Sequence, residues 1–128
     1  MHMKNTLFII LIFLGLNMYS QEIDERIREV YAGHAEKMMA EEPQKLEWLT
    51  NILNYRVEIR SIPIHGPEKF VKLSDVNLCN TYNTTLKRDE AFDPQTFNPL
   101  KYELDFSSPT VKTYRVDGTD YLIIIHPR

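Results

Sequence analysis

The spacing of apolar residues changes period once along this 128-residue chain, at Asn54. Before that point Ile23, Ile27, Val30, Tyr31, His34 and Met38 recur at helical spacing, which predicts a helix over 21–42 with one apolar stripe. Gly33 weakens its middle by up to about 1 kcal/mol relative to alanine. Pro43 suits a first helical position, and Leu46, Leu49, Ile52 and Leu53, with Trp48 beside them, predict a second helix over 43–53. Beyond Asn54 the period falls to two. Tyr55, Val57 and Ile59 alternate with Arg56, Glu58 and Arg60, as in a strand with one buried face. Helices first and strands afterwards specify an α+β domain.

The rest of the chain elaborates the sheet. Pro63 and Gly66-Pro67 predict a turn, and 69–73 a second strand. Residues 75–99 are rich in Asn, Thr, Asp and Pro and read as a long excursion with a short strand near 76–79. A connection of that length is uncommon in a compact domain and is often functional. Leu100, Tyr102, Leu104 and Phe106 alternate with Lys101, Glu103 and Asp105, the cleanest amphipathic strand pattern present. Asp117-Gly118 between two β-rich runs predicts a hairpin with a two-residue type I′ turn, so that Val116 faces Thr119 and Tyr114 faces Tyr121. The run Tyr121-Leu122-Ile123-Ile124-Ile125 is apolar on both faces and should lie centrally in the sheet. The expected architecture is two N-terminal helices packed on a mostly antiparallel four- to five-stranded sheet ending in a β-hairpin.

Residues 1–20 read as an export leader: Lys4, an apolar run over 7–16, then Tyr19-Ser20-Gln21. Ten apolar residues fall short of the roughly 20 that a membrane-spanning helix needs, so cleavage after Ser20 is expected, with no stable membrane span afterwards. The domain is then residues 21–128, a length that suits one core. Fifteen basic residues stand against eighteen acidic ones, and loss of Lys4 leaves fourteen. Such a balance argues against nucleic acid and anionic lipid as partners. Cys79 is the single cysteine, which excludes an intrachain disulfide and leaves the fold to its apolar core. Cys79 itself reads as a small buried hydrophobe, with an intermolecular disulfide or a reactive thiol as the alternative.

No catalytic residue, cofactor site or metal ligand set emerges from the motifs. His34, His65 and His126 lack the close spacing of zinc ligands. None of Ser61, Ser74, Ser107 and Ser108 sits in a Gly-x-Ser-x-Gly elbow, and four glycines supply no phosphate-binding loop. Aromatic residues are more suggestive, because Tyr and Phe in a loop beside Asn and Pro suit a recognition surface. Tyr31, His34, Trp48, Tyr82, Phe92 and Phe97 are the candidate interaction surface, with core packing as the competing role for each.

The leader ending in Ser20-Gln21, the segment Phe97-Asn98-Pro99-Leu100-Lys101-Tyr102 and the ending from Tyr114 to Ile125 resemble short exported proteins of Bacteroidota that have no assigned activity. The resemblance covers the leader and the last third of the chain. It implies a Gram-negative envelope address (periplasmic, outer-membrane-associated or secreted) and transfers no catalytic residue. The resulting expectation is a non-catalytic interaction or accessory domain whose partner is another envelope or secreted protein. The alternative is a small secreted hydrolase or ligand-binding protein using His65, His126 and loop carboxylates.

Overall fold

The computed structural model describes residues 23–63 and 69–128, so the expected export leader and the turn expected around His65 lie outside the described residues. Among the described residues three short helices come first: α1 (Glu25–Tyr31), α2 (His34–Glu41) and α3 (Pro43–Asn51). A π-helical turn (Ile52–Arg56) leads into β1 (Val57–Ser61), followed by β2 (Val71–Lys72), β3 (Lys112–Arg115) and β4 (Tyr121–Ile125). The four strands form one mixed sheet in the order β1-β4-β3-β2. The α+β class follows from this arrangement. Among the described residues no helix is long and apolar enough to cross a membrane.

The helix expected over 21–42 is two helices. Its apolar stripe is real, with Ile27, Val30, Ala35 and Met38 buried, but the chain reverses at Ala32-Gly33. Ala32 has φ 49° and ψ −130°, and Gly33 returns to φ −63° and ψ −20°. These values lie near those of a type II′ turn, which redirects the stripe so that α1 and α2 enclose one core. Asp24 caps α1 by accepting from the Arg26 backbone N–H at 2.9 Å, and the Arg26 guanidinium holds its carboxyl below the usual range. The helix from Pro43 forms as expected, then widens into the π turn, which buries Ile52, Leu53 and Arg56.

The central place of the last strand is borne out. β4 pairs antiparallel with β1 on one side and with β3 on the other. Ile123 and Ile125 face one side with Tyr114 and Val116, while Leu122 and Ile124 are buried on the other. The hairpin register differs from the expected one by two residues: Tyr114 pairs with Ile123, and Val116 bonds to Tyr121 at 3.0 Å. Only Gly118 has positive φ (71°) in the loop, which excludes a type I′ turn because that turn needs positive φ at both central positions. Asp117 is instead drawn to Ser74, whose backbone N–H and hydroxyl donate to its carboxylate at 3.1 and 2.9 Å. A slip of two preserves the faces, so every side chain still points as the alternation demands.

β2 runs parallel to β3, with Val71 opposite Tyr114. Parallel neighbours require a crossover of a dozen or more residues, and the long excursion supplies it. The crossover lies between helices and sheet. Leu100 joins the helical core of Ile27, Met38, Leu49 and Ile52, whereas Val76, Phe97, Tyr102 and Leu104 join the sheet core with Ile123 and Ile125. The helices are therefore mortared to the sheet through this middle layer. The strand expected over 100–106 is a correction for the same reason. Pro99–Lys101 is a 3-10 turn, and Tyr102 makes one isolated bridge, to Leu78. The alternation recorded an extended segment with apolar neighbours, without a continuous ladder.

Buried polar groups hold the layers in register. Asn98, only 3% exposed, donates from Nδ2 to the Arg26 carbonyl (2.9 Å) and Glu29 Oε1 (2.8 Å), and its Oδ1 accepts from the Leu100 N–H (3.1 Å). Lys101 Nζ reaches Asp89 at 2.8 Å, and the Tyr102 hydroxyl donates to the second Asp89 oxygen at 2.8 Å. Burial is the main cause that pushes the Tyr102 phenol up from its ordinary value. These bonds let the middle layer bury Lys101 without an unpaired charge.

Candidate functional site

Three of the six candidate aromatic positions meet on one surface. Tyr31 ends α1 and His34 begins α2, so the reversal between them brings their rings to 6.4 Å and 26°. Tyr82 arrives from the crossover and stacks on His34 at 4.1 Å and 9°, with Tyr31 at 5.3 Å and 31°. The neighbouring Asn83 fixes this approach. Its Nδ2 donates to the Glu29 carbonyl at 2.8 Å, and its Oδ1 accepts from the Thr85 backbone N–H and hydroxyl at 3.2 and 2.6 Å. Lys45 of α3 places its ammonium 5.7 Å from the Tyr31 ring centre, a cation–π approach. Tyr82 remains 44% exposed. Burial raises the Tyr31 phenol above its ordinary value, so that ring is uncharged at neutral pH.

The cluster is a stacked platform with flat apolar faces and polar edges. Such rings bury large area at low rotamer cost, which is why Tyr and Trp concentrate at protein interfaces. Lys45 and Asn83 are not among the candidate interaction residues read from the sequence. Asn83 carried a usable sign in Asn83-Thr84-Thr85, a local turn-forming pattern, while Lys45 carried none.

Trp48 stands apart from the platform. It is half-buried against the helical core and lines an open groove of about 1620 Å³ beside α3. Lys45 lines the same groove and so connects it to the platform. Phe92 and Phe97 belong elsewhere. Their rings are 5.0 Å apart, Phe92 contacts Tyr121 at 5.3 Å, and Phe97 stacks near Tyr102 at 5.7 Å. Phe97 is buried, so this second aromatic chain fastens the crossover to the sheet core.

The histidines do not converge among the described residues. His34 is in the platform, and His126 Nε2 lies 2.8 Å from Glu58 Oε1 at the end of the β1–β4 pair. His126 and Arg60 together hold the Glu58 carboxyl below its usual range. His65 lies outside the described residues. Among those residues no group of three His, Cys, Asp or Glu side chains is placed to hold a metal ion. Cys79 is half-buried, and burial followed by the nearby Glu103 pushes its thiol up, the opposite of an activated thiolate. Comparison with protein-family models, curated proteins and solved structures gives no match.

Proposed function

We propose that this chain is an exported, non-catalytic interaction domain of a bacterial cell envelope, and that it binds another envelope or secreted protein through the Tyr31–His34–Tyr82 platform. The observation that carries this reading is the stacked, partly exposed ring set, which three separate segments assemble and Asn83 holds in place. Rings fixed before binding lose little freedom on contact, so such a platform can anchor a partner. The 1–20 leader and the resemblance to short exported Bacteroidota proteins support the address.

Affinity capture from a Bacteroidota envelope with the full chain, repeated with Tyr82→Ala, tests the role. Recovery of a defined protein that falls at least about tenfold with Tyr82→Ala is expected. Equal recovery by both forms rejects the platform. Fusion of residues 1–20 to an alkaline phosphatase that is active only outside the cytoplasm tests the address, and an inactive fusion rejects export.

A further inference from the structure

The groove beside α3 contains an unusual cation. Arg56 is 4% exposed, at the end of the π turn. Its Nε donates to the His126 carbonyl at 3.0 Å and its Nη2 to the Phe106 carbonyl. Its Nη1 is buried without any hydrogen-bond partner. Among the described residues no carboxylate forms an ion pair with it. A buried guanidinium normally has its charge compensated and its donors filled. Here two backbone carbonyls supply dipoles, and no carboxylate among the described residues supplies the counter-charge.

Arg56 also lines the 1620 Å³ groove. Lys45 and Arg128 add two further cationic side chains there, against Glu47 alone as an acid. The apolar walls include Leu46, Trp48 and Tyr55, and Tyr55 is 78% exposed. We propose that this groove binds an acidic segment of a protein partner, with a carboxylate pairing with the unpartnered Arg56 Nη1 and adjacent apolar side chains lying against Trp48 and Tyr55. A carboxylate is the natural planar partner of a guanidinium edge. Small-molecule pockets occupy roughly 300–1,000 Å³ and enclose most of their ligand. This groove is larger and open to solvent, which suits a stretch of polypeptide rather than a fatty acid. Nη1 has no exposed surface, so occupancy requires the side chains that cover it to move outward. The inference rests on the interaction reading and names the partner's chemistry.

The only tryptophan of the chain lines the groove and reports its occupancy. Random 12-residue peptides displayed on phage are selected on the full chain. Synthetic versions free of tryptophan are then titrated against Trp48 fluorescence. Enriched peptides should carry Asp or Glu beside an apolar residue. Their Asn/Gln isosteres should bind at least about tenfold more weakly, and Tyr55→Ala and Arg56→Lys should each weaken the acidic peptide by a similar factor. If Arg56→Lys does not fold, the isostere pair and the exposed Tyr55→Ala variant decide the matter. Peptides that bind equally well without their acids, or whose binding responds to Tyr82→Ala and not to Tyr55→Ala, overturn the groove while leaving the interaction reading intact. Failure to enrich any peptide overturns the groove and leaves the platform to the capture experiment with Tyr82→Ala. Saturable fluorescence change with decanoate, and none with peptides, overturns the proposal in favour of a lipid.

Discussion

Asn98→Ala tests whether the middle layer holds the helices to the sheet. The Asn98 side chain makes three hydrogen bonds: to the Arg26 carbonyl, to Glu29 and from the Leu100 N–H. Each neutral bond contributes about 1 kcal/mol net. The Glu29 bond involves a charge, but Glu29 is exposed, so it also counts as about 1 kcal/mol. The total loss is about 3 kcal/mol, a large share of the 5–15 kcal/mol that a domain typically has. For a chain of this size that lowers Tm by roughly 12 °C. Urea unfolding followed by Trp48 fluorescence measures it, since Trp48 packs on the helical core. Asn98→Asp sharpens the test. It keeps the acceptor for Leu100 but loses the donor and sets a carboxylate beside Glu29, so it should be as damaging as alanine at neutral pH and recover as acid neutralises it. A loss below about 1 kcal/mol for alanine, or an aspartate variant as stable as the parent at pH 7, refutes the reasoning.

Ala32→Gly should stabilise the domain. Relief of about 1–3 kcal/mol of strain at positive φ exceeds the glycine entropy cost of about 0.5–1 kcal/mol, and thermal unfolding would show a higher Tm. Glu58 has a depressed folded carboxyl pKa, so its contribution is present above the unfolded value and fades as pH falls through the folded one. NMR titration should place its midpoint below the ordinary 4.5, and His126→Gln should move it back toward that value. Cys79 should react with iodoacetamide more slowly at pH 8 than a free thiol, because burial raises its pKa, and urea should abolish the difference.

The local pattern in the sequence carried the element types and much of the core. The helical stripe through Ile27, Val30 and Met38, the proline start of α3, and the two-sided burial of β4 all follow from residue spacing. What local pattern could not carry was set by contacts distant along the chain. The Ala32-Gly33 reversal serves a core that includes Leu100. Ser74 claims Asp117, and the hairpin takes a longer loop than its Asp-Gly pair suggested. The alternation over 100–106 describes burial on two sides of a crossover, which a strand pattern cannot distinguish from a ladder. In the candidate site, Tyr31 and His34 were visible as neighbours on one stripe. Tyr82 was visible only as an aromatic in a polar stretch, and its position over His34 depends on Asn83 reaching back to α1.

β4, one of the sheet's two inner strands, is the last of the described strands in chain order. β1 has its ladder partner in β4 alone, some sixty residues further on, and β3 also needs β4 for its antiparallel bonds. A ribosome-bound chain that has emerged only as far as Arg115 has no template for closing this sheet. Closure of the sheet therefore waits for Tyr121–Ile125, whereas the helical core, which draws nothing from that strand, does not.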